Sequence, residues 1–233
     1  MISATDRTFQ SCLVRLDTFI LSGMHTVAII SRKGGTGKTT LACSLAIAAQ
    51  YDGRAAVILD MDPQGSASAW WRVRREQPPS VASTRPSALD GHLRAARQAG
   101  VDIVFIDTAP QVAGAATQAA QAADYVLVPC RPGLLDLAAI TGTIAIAQEA
   151  RTPAAVVLNA GGIRSPLVAQ AQGALLDVGV TIAPVVYQRV AHAYAITAGQ
   201  AAGEREPSSK AAAEIQALWQ WLRKRLQPPR RSK

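Results

Sequence analysis

Apolar positions in this chain come in short continuous runs rather than in strict alternation. The runs are "HTVAIIS" (25–31), "AAVILDMD" (55–62), "VDIVFIDTAP" (101–110), "DYVLVPC" (124–130), "PAAVVLNA" (153–160) and "VTIAPVVY" (180–187). Several are rich in β-branched residues. Each reads as a strand buried on both faces. Between them lie segments with helical spacing or small-residue composition: 39–50, 88–100, 111–123, 134–150, 166–179 and a closing helix at 210–226. "PQGSASAWWRVRRE" (63–76) reads as a loop entering a helix. "QPPSVASTRPS" (77–87), rich in Pro and Ser, reads as an irregular connection. Strand and helix alternate to the end. This predicts an α/β fold with a doubly wound, mostly parallel sheet. No internal repeat is visible.

The closing helix carries Ile215, Leu218, Trp219, Leu222 and Leu226 on one stripe. The stripe reads as core. The competing reading is a membrane-seeking amphipathic end, with Trp221 and the arginines at the interface.

The chain has 233 residues, 49% of them hydrophobic, which fits one domain with a sizeable core. No apolar run reaches the length of a membrane span. Residues 24–226 are expected to form a single phosphate-loop domain. Residues 1–23 show neither a basic start nor a long apolar core, so they do not read as a secretion signal. They read as a disordered extension, or as the product of a start codon upstream of Met24.

Charge changes the picture at the other end. The formal net charge is +8, but the last eleven residues, "RKRLQPPRRSK", hold six basic groups and no acidic one. Residues 227–233 are thus a basic tail. It reads equally as a solvated end and as an electrostatic contact for nucleic acid or anionic lipid. Cys12, Cys43 and Cys130 show no paired spacing, which argues against a disulfide framework and a zinc site and suggests a cytoplasmic setting. Cys43 and Cys130 read as small core residues.

The candidate chemistry begins at "SRKGGTGKTT" (31–40). It follows a strand and opens a helix, as a phosphate loop must. Gly34, Gly35, Thr36, Gly37 and Thr40 would shape the loop and its backbone N–H groups around a nucleotide's phosphates. Lys38 would reach the β- and γ-phosphates, and the Thr39 hydroxyl would reach Mg²⁺. Asp107 ends a strand where ligands of parallel sheets gather, and suits the metal shell. Asp60 and Asp62 end another strand. Two apart, they point the same way and would repel without a nearby cation, so Asp60 is a further candidate for the metal site. Lys33 is surplus to one protomer's phosphates. It is either merely solvated or directed at a nucleotide held by a facing subunit.

These residues carry a resemblance. "KGGTGKTT" resembles the deviant phosphate loop of the ParA/MinD ATPases, and the likeness runs from about Met24 to Leu222. "ILDMDPQGSASAW" and "FIDTAP" resemble that family's two switch segments. "YVLVPCRPGLLDL" and "TAGQAAGEREPSSKAAAEIQALWQWL" resemble later blocks of the small plasmid-partition members. The resemblance implies a nucleotide-sandwich homodimer formed with ATP and Mg²⁺. It implies that Lys33 crosses to the partner's phosphates and stabilises charge during hydrolysis. It also implies that Asp62 orients the attacking water, that Thr39 and Asp107 serve the metal, and that Asn159 and Pro184 contact adenine.

By the same resemblance the chain is a weak intrinsic ATPase that segregates a plasmid or similar DNA element. Expected partners are nonspecific nucleoid DNA and a centromere-binding ParB-type protein that stimulates hydrolysis. Arg189 is the candidate DNA contact, with Arg223, Lys224 and Arg225 in support. The alternatives are a MinD-like membrane-associated positioning ATPase and an accessory ATPase of conjugative DNA transfer. Membrane binding is the less favoured. Larger partition ATPases carry an N-terminal helix-turn-helix domain. Here only two dozen residues precede the first strand, so operator binding is not expected.

Overall fold

The computed structural model describes residues 23–110 and 114–226. The expected extension and the basic tail beyond Leu226 lie outside the described residues.

Seven parallel strands form one sheet: β1 (His25–Ile29), β2 (Ala56–Asp60), β3 (Ser80–Ser83), β4 (Ile103–Asp107), β5 (Tyr125–Cys130), β6 (Ala154–Gly161) and β7 (Val186–Tyr187). Their spatial order is β3-β2-β4-β1-β5-β6-β7. The helices are α1 (Lys38–Tyr51), α2 (Ser66–Val73), α3 (Leu89–Gln98), α4 (Ala115–Ala122), α5 (Leu134–Glu149), α6 (Pro166–Asp177), α7 (Val190–Thr197), α8 (Ala202–Arg205) and α9 (Lys210–Leu226).

Side chains alternate between the two faces of a strand. Val27, Ile29, Ala56, Ile58, Ile103, Phe105, Leu127 and Val157 therefore meet one helix layer, with α1 and α9 at its centre. Ala28, Val57, Leu59, Val104, Ile106, Val126, Val128 and Leu158 meet the other, made of α3 to α6. Both faces are dry, which is why the strands read as continuous apolar runs. The same parity decides the site. Asp60, Asp107 and Asn159 fall on the α1 side of the sheet, at its carboxyl edge.

Two expectations need correction. The 77–87 segment contains β3, which lies parallel to β2 from Val57↔Ser80 to Asp60↔Ser83. Its apolar signal is only "VA" between serines, and β2 supplies the pairing that the local sequence does not announce. Conversely, 180–187 is not one strand. Pro184 has no N–H to donate, and pairing with β6 is limited to an isolated bridge at Ile182 and to Val186–Tyr187. The apolar stripe of α9 is core: Ile215, Leu218, Trp219 and Leu222 are buried in the α1 layer, and Trp219 meets Phe105 edge to face. Among the described residues no helix is long and apolar enough to cross a membrane.

Candidate functional site

The loop joining β1 to α1 occupies the middle of the carboxyl edge, because β1 is the central strand. Gly37, at φ 90°, caps α1 in the left-handed region that favours glycine. A Cβ there would also collide with Asn159 Nδ2. The Asn159 amide reaches across from β6 and donates to the Thr36 carbonyl at 2.7 Å. Asn159, expected at adenine, is thus placed beneath the phosphate loop and holds its shape. Pro184 lies half-buried between the Ile182 bridge and β7.

Lys38 opens α1 and is only 6% exposed. Burial lowers its pKa from the usual lysine value, against the attraction of Asp107 and Asp62. The ammonium therefore gains from an anion at the loop, where the first-turn N–H groups of α1 also point. Thr39 Oγ1 donates to Asp107 Oδ2 at 2.6 Å. Asp107 is fully buried, and its Oδ1 has no hydrogen-bond partner. Burial raises its pKa from 3.8 to about 7; the Thr39 hydrogen bond opposes this, and Asp60 adds to it.

A buried carboxylate with one free oxygen beside a Thr hydroxyl suits a hard divalent cation. Among the described residues no group of three or more His, Cys, Asp or Glu side chains forms an all-protein metal cage. The donor set therefore fits Mg²⁺ that brings its own water and phosphate ligands. Thr39 and Asp107 would hold it, and the ion would screen charge between phosphate oxygens.

Asp60, the other candidate for the metal, is engaged within the chain. It is paired in register with Asp107, so these two carboxylates, and not Asp60 and Asp62, are the side-by-side pair. Asp60 Oδ1 accepts the Asp62 N–H at 3.2 Å. Its Oδ2 accepts the Ser68 N–H at 2.9 Å and the Ser68 hydroxyl at 2.8 Å. Asp60 thereby satisfies a first-turn donor of α2. The strand ends at Asp60, and Asp62 begins a turn. Its Oδ1 accepts the Gln64 N–H at 2.9 Å, leaving it half-buried at the mouth of the site.

Lys33 turns away from its own loop. Its Nζ lies 2.8 Å from Asp136 Oδ1, in the first turn of α5. The lysine side chain is 42% exposed and the aspartate 14%. Arg32 is drawn to the same helix: its N–H donates to Thr143 Oγ1 at 3.4 Å, and its guanidinium lies over Gly142. Asp136 escaped sequence reasoning because an aspartate in a first helical turn is common on helix-dipole grounds alone.

The geometry of the loop has a counterpart in other proteins. The model of the CobQ/CobB/MinD/ParA nucleotide-binding domain matches residues 27–201. The chain belongs to this family. Among curated family relatives, a maintenance of carboxysome distribution protein A from Gloeobacter kilaueensis is 40% identical over 124 residues, 52% of this chain and 55% of that protein. The chain thus spans about half of that relative's length. The protein of the same description from Halothiobacillus neapolitanus is 32% identical over 167 residues, 67% of this chain and 76% of that one. The chromosome-partitioning ATPase Soj of Thermus thermophilus is 28% identical over 160 residues, covering 55% and 63%. Among solved structures, the cell division ATPase MinD of Pyrococcus furiosus superposes with a TM-score of 0.70 at 19% identity, over 86% of this chain and 98% of that one. An ATP complex of a Cyanothece McdA variant gives 0.70 at 18%, over 88% and 97%. These two show the family fold.

The basic candidates are largely engaged. Arg189 donates from Nε and Nη2 to Glu214 Oε1 at 2.9 and 2.6 Å, and Glu214 Oε2 accepts the Tyr187 N–H at 3.0 Å. Arg223 pairs with Asp52 at 2.9 Å. Arg225 stacks on Trp221 at 3.6 Å. Lys224 is exposed. Arg189 and Arg223 thus spend their charge inside the molecule, which sequence alone did not reveal. The two core cysteines are buried as expected, and burial pushes the Cys130 thiol up to about 12, so it is no thiolate nucleophile.

Proposed function

We propose that this chain is an ATP-driven positioning ATPase of the partition type. It binds ATP–Mg²⁺ at the β1–α1 loop, dimerises on it, holds nonspecific DNA in that state and hydrolyses slowly until a ParB-type partner stimulates it. Its setting is the cytoplasm, at the nucleoid. The cargo is a plasmid or similar element; the relatives named for carboxysome distribution make a protein body a second cargo of the same mechanism.

One observation carries the reading. The loop has two lysines: Lys38 is buried at the start of α1, whereas Lys33 points away to Asp136. Lys33 lies at the mouth, half-exposed and held by a side chain it can leave. A cation placed there is of use to a nucleotide on a facing copy. In that role Asp62 orients water at the γ-phosphate. The membrane alternative is disfavoured by the burial of the α9 stripe it would need.

The test is binding to random-sequence duplex DNA with ATP–Mg²⁺ and with ADP, across a salt series. ATP-dependent binding that weakens steeply with salt is expected. Equal binding in both states, or none, would reject the DNA-cycling part of the reading. Because Arg189 and Arg223 are paired internally, Lys224 and the tail are the contacts to truncate first.

A further inference from the structure

Helix α2 leads straight out of the turn that carries Asp62. The Gly65 N–H donates to the Asp62 carbonyl at 2.8 Å, and α2 begins at Ser66. A helix of eight residues is a rod about 12 Å long, so what holds its far end bears on where its near end lies. The near end is tied to β2 by the bonds from Ser68 to Asp60. The far end is capped by Arg74. Ala67 and Trp70 bury the apolar face of α2 in the α1 layer. Apolar burial has no direction. It keeps the helix on the sheet but does not fix how far along the sheet it sits.

Directional bonds supply that. Arg74 Nε donates to the Pro78 carbonyl at 2.7 Å. Nη1 donates to the Gly199 carbonyl at 3.0 Å and to Glu204 Oε2 at 2.9 Å, and Nη2 donates to Glu204 Oε1 at 2.6 Å. The pair is bidentate, the strong form of a charge-assisted bond. Side-chain exposure is 11% for Arg74 and 14% for Glu204, so water screens little of it. Glu204, in α8, is itself set by the Ala201 N–H, which donates to Oε2 at 2.8 Å. One turn back along α2, the Trp70 indole N–H donates to the Gln200 carbonyl at 3.1 Å. The α7–α8 connection also presses on the backbone: a Cβ on Gly199, at φ 69°, would lie 2.6 Å from the Arg74 nitrogen.

We propose that Arg74 is a positioning residue for hydrolysis. Through Glu204 and the Gly199 carbonyl it fixes α2 lengthwise, and α2 sets the 62–65 turn so that Asp62 meets the attacking water. The inference rests on the water-orienting role given to Asp62 above. The Arg74 guanidinium is spent on α8, the Gly199 carbonyl and the Pro78 carbonyl, so its effect passes through α2 and not through contact with the reacting atoms. A misplacement of about 1 Å at a reacting group costs on the order of a hundred-fold in rate, so a small slackening of the clamp is enough. The clamp works in both directions. A shift of the α7–α8 connection pulls on α2 and reaches the same aspartate.

The test is single-turnover phosphate release at saturating ATP–Mg²⁺, with Glu204→Gln and Gly199→Ala as separate variants. Glu204→Gln keeps an acceptor for the Ala201 N–H but removes the charge that holds Arg74. Gly199→Ala pushes on the Arg74 backbone from the α7 side. The expected result is release slowed about ten-fold in each, with unchanged affinity for a fluorescent ATP analogue. Adding Glu204→Gln to Asp62→Ala should slow release no further than Asp62→Ala alone, because both act at one point. Wild-type release in either single variant would overturn the proposal. So would a further loss in the double variant, or slowed release with lost nucleotide affinity, since each makes the clamp a general support of the fold. Full release by Asp62→Ala would instead refute the role of Asp62 on which the inference rests.

Discussion

If Asp136 holds Lys33 at home, then removing its charge makes the lysine easier to give away. The perturbation is Asp136→Asn, which keeps the side chain's shape. The Nζ–Oδ1 distance is 2.8 Å, but the lysine is 42% exposed, so solvent screens much of the attraction. A half-exposed pair of this kind stabilises by about 0.5–1 kcal/mol. Both lysines of a symmetric dimer must leave their aspartates, so the effect counts twice, about 1–2 kcal/mol. That is a roughly five- to thirty-fold tighter ATP-dependent dimer. Sedimentation with a nonhydrolysable analogue reads it directly. With ADP the variant should remain monomeric, because the facing γ-phosphate is missing. Lys33→Gln should bind nucleotide without dimerising, and adding Asp136→Asn to it should restore nothing. Unchanged or weaker dimerisation of Asp136→Asn, with an unchanged Tm, would refute the reasoning: the pair would then be structural rather than a resting position.

Three further outcomes are expected. In metal-free, nucleotide-free protein, Asp107 titrates near 7 when folded and near 3.8 when unfolded. The folded state therefore holds the extra proton in between, and stability falls as pH rises from about 4 to 7. Asp107→Asn should flatten that slope and be the more stable protein at pH 8; urea midpoints that keep the slope would contradict the assignment. Asp62→Ala should keep ATP dimers and lose phosphate release, and unaltered turnover would remove Asp62 from the reaction. Arg189→Ala should destabilise the fold by roughly 2 kcal/mol, because it strips Glu214 of a charged partner; a loss of DNA binding with no change in Tm would restore Arg189 as a contact.

The strands that the sequence announced are those whose signal is continuous apolarity, which burial on two faces demands. β3 was hidden because two of its four residues are serines and prolines precede it. The last predicted strand was overread because five apolar residues outweighed one proline, although that proline removes a ladder donor. The phosphate loop was legible because its chemistry is local: glycines, a lysine and a hydroxyl within a few residues. The relations that complete the site were not, since they join residues far apart in sequence. Asn159 lies 123 positions from Thr36, and Asp136 is on another helix from the loop that carries Lys33. Period-two arithmetic along β4 and β6 does put Asp107 and Asn159 on the side of α1, so part of this geometry can be read once the sheet order is known.

The bond from Asn159 to the Thr36 carbonyl has a bearing on nucleotide selectivity. A loop already held in shape before any ligand arrives welcomes the phosphates common to both nucleotides alike. The backbone of such a cradle has little means of telling ADP from ATP. Discrimination must then come from groups that change partners when the third phosphate is present, the role proposed above for Lys33. On this view the rigid half of the site sets how tightly a nucleotide is held. The half-exposed lysine sets what the protein does about it, so the two properties can be tuned by separate substitutions.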